Sequence, residues 1–171
     1  MKDWKVFVKA GRAKFTVKDL ISGKRFTFKV NKHHEKESDL YFVSVLTGTN
    51  NDRDYTYLGL LDDNGFRETH RTKVLWRNRK PGDAFDWFYR LSTYLTSDKE
   101  LPPNVEIYHA GCCGRCGKTL TVPSSIASGF GPECIVTMSG IIYGSNSTKS
   151  VYEDNAKELK KLFRMANQLK D

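Results

Sequence analysis

The 171-residue chain has no run of about 18 apolar residues, which is the length that a membrane-spanning helix needs. Its first residues, Met1 to Trp4, lack the apolar core of a secretory signal peptide. Hydrophobic residues make up 39% of the chain, a low share for burying a large core. We therefore expect a cytoplasmic protein with no membrane contact, built as one ordinary domain or as a body with a small added module.

Recognisable signatures of catalysis are also missing. No nucleophile with a partnered base and no pair of carboxylates stands out. A zinc-dependent deaminase needs a glutamate two positions after its ligating histidine, where this chain has Gly111. The glycine-containing segments Ala10-Gly-Arg and Gly129-Phe-Gly-Pro lack the lysine and the spacing of a phosphate-binding loop. We expect that the protein is not an enzyme.

Acidic residues are scarce in the first half of the chain. Residues 1–80 carry 18 basic and 10 acidic side chains, whereas residues 81–171 carry 10 of each, so the first half holds the whole net charge of +8. Residues 1–32 alone have ten basic groups against Asp3 and Asp19. This bias favours a polyanionic partner, DNA or RNA, over the alternative that the charge serves solubility only.

Alternating apolar and polar residues predict half-buried strands in this half. The alternation covers residues 4–9, 12–18 and 25–30, of which the last two are expected to form an antiparallel hairpin. Four cations fall on the hairpin face that points away from the core, and these are the candidate nucleic-acid contacts: Lys14, Lys18, Arg25 and Lys29. If they are exposed, Tyr55, Tyr57 and Trp76 are candidates for stacking on bases; the alternative is that they are buried in the core, the more usual place for such residues.

Further elements follow from the later pattern. Two apolar runs, 40–46 and 55–61, are joined by a segment rich in Gly and Asn, which predicts a second hairpin. Short strands are expected at 66–69 and 72–76, and the charged segment 31–39 is expected to be a loop. From Asp83 the apolar period changes to three and four residues, which predicts an amphipathic helix to about Thr96.

All four cysteines lie between positions 112 and 134. The spacing Cys113-x-x-Cys116-Gly predicts a zinc knuckle, in which a tight turn aims two thiolates at one point. Cys134 follows Pro132, which favours the first turn of a helix, where a thiolate is stabilised. A disulfide or a redox-active cysteine pair is the alternative, and it is disfavoured in a cytosolic chain without a βαβ pattern.

Structural zinc needs four ligands, so one more is expected nearby. His109 and Cys112 compete for this place. His109 is favoured, because it precedes the knuckle by four residues and because side chains of adjacent residues such as Cys112 and Cys113 usually point apart. The two basic residues of the knuckle, Arg115 and Lys118, are candidate additional contacts to nucleic acid.

The segment His109-Ala-Gly-x-Cys113-Gly-Arg-Cys116-Gly-Lys, followed by Leu120-Thr-Val-Pro123, Ser125-Ile and Gly129-x-Gly131-Pro-x-Cys134, resembles an uncharacterised zinc-finger family of bacteriophages and prophages. Upstream segments resemble the body that precedes this finger in phage proteins, and they are Ala10 to Thr16, Ser22 to Thr27, Phe42 to Gly48 and Tyr55 to Gly59. The resemblance implies a phage origin, the cytoplasm of a bacterial host, and zinc on the matching residues His109, Cys113, Cys116 and Cys134. It implies no activity, and Cys112 departs from the pattern.

The sequence therefore predicts an α+β protein. An antiparallel sheet with a packed helix is expected over residues 1–104, a small structural zinc finger over 105–140, and a linker with a C-terminal amphipathic helix over 141–171. The leading functional hypothesis is weakly sequence-specific nucleic-acid binding through the basic sheet face. The alternative is a phage inhibitor or adaptor that binds a host protein, such as an antiviral defence or replication factor.

Overall fold

The computed structural model describes residues 4–34, 39–75, 80–94 and 101–142. The elements in these ranges are, in chain order, α1 (Trp4–Val8), β1 (Arg12–Asp19), β2 (Arg25–His34), β3 (Asp39–Leu46), β4 (Tyr55–Asp62), β5 (Gly65–Glu68), α2 (His70–Leu75), α3 (Pro81–Tyr94), β6 (Val105–His109), α4 (Pro123–Ser128) and α5 (Pro132–Ile142). The expected α+β class is confirmed. The predicted C-terminal helix and Trp76 lie outside the described residues.

The strands form one antiparallel sheet in the order β5-β4-β3-β2-β1-β6. Both predicted hairpins are present, as β1 with β2 and as β3 with β4. The last strand, β6, returns from far along the chain to pair with β1, with Phe15 opposite His109 and Lys18 opposite Glu106. Because β6 leads directly into the cysteine segment, this pairing fixes the cysteines at one end of the sheet.

Two short segments that alternate in sequence are helices and not strands. Residues 4–9 were expected to be a strand, but they form α1, because Trp4, Phe7 and Val8 lie on one side of a helix and all three are buried. Residues 72–76 were also expected to be a strand, but residues up to Leu75 belong to α2. The Thr69 hydroxyl accepts a hydrogen bond from the Thr72 amide at 3.4 Å, as in a helix N-cap.

The charged segment 31–39 was expected to be a loop, but residues 31–34 and residue 39 are in strands. Strand β2 continues to His34 and β3 begins at Asp39, so both ends of the expected loop belong to the sheet. The polar residues Asn31 and His33 lie in the ladder opposite Phe42 and Leu40. Pairing with an apolar neighbouring strand therefore extends a strand through a polar sequence.

The core lies between one face of the sheet and the helices α1 and α3. Phe15 of β1 lies at its centre, fully buried, with its ring centroid 4.8 Å from that of Phe88 and 5.7 Å from that of Phe28. Phe85 of α3 contacts both Phe28 and Phe66 of β5. Aromatic packing thus joins the helices to the three strands β1, β2 and β5 from one side. No helix in the described ranges combines the length and apolarity needed to cross a bilayer.

The second face of the sheet, called the open face here, carries no layer of described helices. It comprises the alternate residues of β1 and β2 with their neighbours in β3, β4 and β6, and every one of them is at least partly exposed to solvent: Lys14, Thr16, Lys18, Arg25, Thr27, Lys29, Phe42, Ser44, Tyr55, Tyr57, Glu106 and Tyr108. The sheet is therefore covered on one side and open to water on the other, as antiparallel sheets permit.

Phe15→Ala is expected to lower the free energy of unfolding by about 3–5 kcal/mol, because it opens a cavity among packed rings. Phe42→Ala is the matched control, since Phe42 lies on the open face of the same sheet and is 37% exposed. Urea denaturation followed by circular dichroism measures both. Equal destabilisation by the two substitutions would contradict the assignment of the core to the helix side.

Candidate metal centre and basic sheet face

Three cysteine sulfur atoms meet at the end of the sheet. The Sγ atoms of Cys113, Cys116 and Cys134 all lie within 4.8 Å of one another. Cys113 and Cys134 are buried and Cys116 is half-buried. Among the described residues no other cysteine, histidine or carboxylate joins this group.

Local hydrogen bonds explain how residues 18 or more positions apart meet. The knuckle closes through the Gly117 amide, which donates to the Cys113 carbonyl at 2.9 Å, and Gly117 takes a φ of +77°, where glycine is favoured. Helix α5 begins at Pro132 and places Cys134 in its first turn, as the sequence predicts. The Gly131 amide, just before this helix, lies 3.5 Å from the Cys113 sulfur and donates to it.

The surroundings of the thiols affect their proton affinities in opposite directions. Burial raises the pKa of the Cys113 thiol, but backbone amides of Cys116, Gly131 and Arg115 donate to its sulfur and outweigh burial, so the pKa is lowered overall. Burial raises the pKa of Cys134 to about 11, against the opposing effect of Arg115, whose Nη1 lies 3.9 Å from this sulfur. A metal ion must therefore displace a proton from Cys134 in order to bind.

The three sulfur atoms fit the donor set of a metal ion. In a tetrahedral site with metal–sulfur bonds of about 2.3 Å, the sulfur atoms are about 3.8 Å apart. The cysteine sulfurs are at most 4.8 Å apart, which exceeds that spacing by about 1 Å. Rotation of the cysteine side chains can close this difference. The arrangement can hold a metal ion through three residues of this chain.

His109, the favoured fourth ligand, is not brought to the sulfur atoms. Its Nε2–H donates to the Ile126 carbonyl at 2.6 Å, and its Nδ1 accepts from the Gly111 amide at 3.1 Å. The ring packs on Phe7 with 5.9 Å between centroids. Since both ring nitrogens are engaged, His109 joins β6 to α4 in this structure, and ligation would require it to give up one of these hydrogen bonds.

Cys112, the competing candidate, points away from the other three cysteines. It pairs with Thr119 in an isolated bridge and lines a groove beside Lys14 on the open-face side. The expectation that adjacent cysteines point apart agrees with this placement. Neither candidate for a fourth ligand therefore lies in the group of three sulfur atoms.

The knuckle is attached to α1 as well as to the sheet. The Arg12 amide donates to the Gly114 carbonyl at 2.6 Å, and the Gly114 amide donates to the Gly129 carbonyl at 3.0 Å. A Cβ atom on Gly114 would lie 2.7 Å from the Phe7 ring, so only glycine fits there. The same ring contacts Phe130, which precedes α5. Both halves of the metal centre thus pack on one aromatic side chain of α1.

The open face brings together the four cations expected from the hairpin. In the ladder Lys14 lies directly opposite Lys29, and Lys18 lies directly opposite Arg25. Like charges in directly opposed positions of an antiparallel pair destabilise it. Two such pairs on one face therefore destabilise the sheet, and nearby negative charges would reduce the repulsion within each pair.

Acidic residues of the chain supply part of this charge. Asp52, in the β3–β4 connection, accepts a hydrogen bond from Lys14 Nζ at 2.8 Å, and Glu106 accepts one from Lys18 at 3.4 Å. The hydrogen bond to Asp52 raises the pKa of Lys14 and lowers that of Asp52, to which the charge of Lys29 also contributes. Arg25 and Lys29 make no ion pair with a carboxylate in the described part of the chain.

Aromatic side chains lie among these cations. Lys29 Nζ is 5.4 Å and Lys14 Nζ is 5.9 Å from the centroid of the Tyr55 ring. Phe42 lies 6.0 Å from Tyr57 between ring centroids. Phe42 and Tyr108 were not identified from the sequence pattern as residues of this face. The alternation of Phe42 with the buried Val43 and Val45 does place Phe42 on the exposed side, and Tyr108 is 52% exposed on β6.

The two knuckle cations are exposed but are not part of the open face. Arg115 lines a groove on the helix side of the sheet together with Lys5 and Lys9 of the α1 segment. Lys118 is exposed on the turn after Gly117. The cations Lys5, Lys9, Arg12 and Lys32 were not singled out from sequence, because they become neighbours only when α1 packs across the end of the sheet.

Comparison with known proteins locates a likeness at the metal centre. Residues 105–137 match a family of unknown function, DUF6011. The matched range begins with β6 and ends within α5, so it covers all three clustered cysteines. No curated protein matches the chain, and no solved structure does.

Single substitutions distinguish the residues that bind the metal ion from residues that only lie near it. Cys134→Ser is expected to abolish stoichiometric metal binding, whereas Cys112→Ser and His109→Gln are expected to retain one metal ion per chain. His109→Gln should nevertheless lower the free energy of unfolding by about 1–3 kcal/mol, because it disturbs two hydrogen bonds of the ring, an exposed one to the Ile126 carbonyl and a partly buried one from the Gly111 amide. Elemental analysis of the purified variants measures the metal, and loss of metal from His109→Gln would restore the histidine as a ligand.

Proposed function

We propose that the metal is zinc and that its role is structural. The donors are three cysteine sulfurs, two from the compact knuckle and one from α5, and zinc favours thiolate ligands. Two of the three cysteines are buried and the third is half-buried. The knuckle contacts α1, β1 and α5, so a bound ion would fix the relative positions of elements from both ends of the described chain. No described nucleophile with a partnered base adjoins the site, and we propose a role without catalysis.

Removing the metal should loosen the end of the sheet. Dialysis against a strong zinc chelator is expected to release one zinc ion per chain and to speed amide exchange in residues 105–142, while the β2–β3 ladder stays protected. Binding should weaken as the pH falls, because Cys134 must lose its proton to bind the ion. Hydrogen-exchange mass spectrometry tests this, and unchanged exchange after verified zinc loss would contradict a structural role.

We further propose that the protein binds nucleic acid through the open face. The observation that carries this proposal is that two pairs of cations are directly opposed on a sheet face that no described helix covers. The pairs are Lys14 with Lys29 and Lys18 with Arg25. Phosphate groups relieve such repulsion and bind lysine and arginine independently of sequence. Weak sequence specificity follows, because backbone phosphates are the same at every position.

The aromatic residues support the same proposal. Tyr55, Tyr57 and Phe42 lie beside the lysines on neighbouring strands, and the exposed Tyr108 lies across the sheet on β6. Flat aromatic rings among cations on a sheet form a surface on which bases stack while phosphates are neutralised. Lysine residues on edge strands prevent a sheet from pairing with another sheet. This protective role does not explain the cations of β1 and β2, because both are internal strands in the sheet order.

The acidic side chain of Asp52 has a defined place in this proposal. It accepts a hydrogen bond from Lys14, and Lys29 contributes to lowering its pKa, so its carboxylate lies where a phosphate would bind the same two lysines. Nucleic acid must therefore compete with Asp52. This competition weakens binding.

Binding is tested by fluorescence anisotropy with labelled DNA and RNA at two salt concentrations. Lys18→Gln, Arg25→Gln and Lys29→Gln together form the face variant, which is expected to lose about 10-fold or more in affinity and to show a salt slope shallower by about 2 on single strands. Asp52→Asn is expected to strengthen binding. The charge-matched control carries Lys73→Gln on α2, Lys80→Gln just before α3 and Arg90→Gln on α3.

The outcomes separate the explanations. Equal affinity of the face variant and the control would refute the open face as the binding surface. Absence of binding by the unaltered protein at low salt would refute the function itself and favour the protein-partner alternative. The apolar residues Val74, Leu75 and Trp87, each more than 40% exposed on α2 and α3, are the surface that this alternative would use.

A phage origin, a bacterial host cytoplasm and an interaction with host components remain part of the proposal. They depend on the resemblance of the knuckle and of the upstream segments to phage proteins. The family match at residues 105–137 agrees with the likeness at the knuckle and adds no function to it.

A further inference from the structure

A basic groove lies at the border of the open face, beside the knuckle. This open-face groove has a volume of about 470 Å³, and its lining includes Arg12, Lys14, Lys29 and Lys32 with Cys112 and Gly117. No carboxylate belongs to its described lining. It extends the cationic surface of Lys14 and Lys29 towards the start of β1.

A second groove lies on the other side of the sheet, between α1, the knuckle and α5. This helix-side groove has a volume of about 890 Å³, and its lining includes the cations Lys5, Lys9, Arg12, Lys32 and Arg115 with Tyr41. Asp39, which pairs with Lys32 at 2.6 Å, is the one carboxylate in the described lining. Five cations against one carboxylate make this groove attractive to a polyanion.

The two grooves meet at the beginning of β1. Both are lined by Gly11, Arg12 and Lys32. Strand β6 pairs with β1 from Phe15 onwards, and the knuckle segment continues along β1, because the Ala110 amide donates to the Lys14 carbonyl at 3.0 Å and the Arg12 amide donates to the Gly114 carbonyl at 2.6 Å. The border between the two grooves is therefore the beginning of β1 itself, and a chain that leaves the open face at Lys14 reaches the helix-side groove by passing over Gly11 and Arg12.

Several cations along this path lack an acidic partner. Lys9 pairs with Asp63 at 3.1 Å and Lys32 with Asp39, but Lys5 and Arg12 make no ion pair within the described ranges. The charges of Lys5 and Arg12 are therefore available to an external anion, whereas Arg115 donates a hydrogen bond to the Cys134 sulfur at 3.9 Å. Tyr41 is buried beneath these cations, with Lys9 Nζ at 5.5 Å and Lys32 Nζ at 5.9 Å from its ring centroid.

We propose that the nucleic acid is single-stranded and that it continues from the open face over Gly11 and Arg12 into the helix-side groove. The inference rests on the proposed function and adds to it the class of ligand and a second contact region. Duplex DNA has a persistence length of about 150 base pairs and cannot bend from one face of a small sheet to the other. A single strand bends freely and exposes its bases to the aromatic residues of the open face.

Length dependence tests the path. Labelled oligothymidines of about 6 and about 14 nucleotides, within the usual range of single-strand sites, are titrated against the zinc-loaded full chain. The groove variant carries Lys5→Gln, Lys9→Gln and Lys32→Gln, and the control is again Lys73→Gln, Lys80→Gln and Arg90→Gln. Zinc content and thermal midpoint verify that each variant is folded.

The groove variant is expected to lose about 10-fold in affinity for the long oligomer, with a salt slope shallower by about 2. It should lose less affinity for the short oligomer, because of its three substituted residues only Lys32 also lines the open-face groove. A hairpin duplex of the same length should bind more weakly than the long single strand. If the groove variant binds the long oligomer like the control, the path is refuted while binding at the open face stands. If the unaltered protein binds neither oligomer, the proposed function is refuted as well.

Discussion

A sheet covered by helices on one side only determines the rest of this structure. The aromatic residues on the covered side, with Phe15 at the centre, attach α1 and α3 to the strands. Alternation then places every second residue of β1 and β2 on the side open to water, and apart from residues such as Thr16 and Thr27 these are cations in this chain. The hydrophobic core and the basic surface are therefore two consequences of one period-2 pattern, and a one-residue shift in register would destroy both.

The metal centre depends on the same sheet in another way. Its three cysteines come from a knuckle and a helix that are too small to bury a core of their own, so they pack on β1 and α1. Hydrogen bonds from Arg12 to Gly114 and from Gly111 to His109 connect the knuckle to the neighbouring strands. The centre lies directly beside the border where the two basic grooves meet, which places structural and proposed binding elements within the same few residues.

Much of this arrangement could be predicted from the residues, and the errors have physical causes. Alternation predicted β1 and β2 because those strands are half-buried, and the cysteine spacing predicted the group of three sulfur atoms. Residues 4–9 fit both periods, and contact with Phe15 and Phe88 decides for a helix. Ligation by His109, which its position four residues before the knuckle suggested, stays a prediction, because sequence spacing contains no information about the Ile126 carbonyl that accepts a hydrogen bond from this ring.

The close contact between Gly114 and the Phe7 ring links two distant parts of the chain mechanically. Because no side chain separates them, the knuckle backbone rests directly on an aromatic residue of the first helix. Displacement of that helix would remove the support on which the cysteine-bearing turn is built, and would change the shape of the groove that α1 borders. The position of α1 thus determines the geometry of a candidate metal site that lies more than a hundred positions further along the chain.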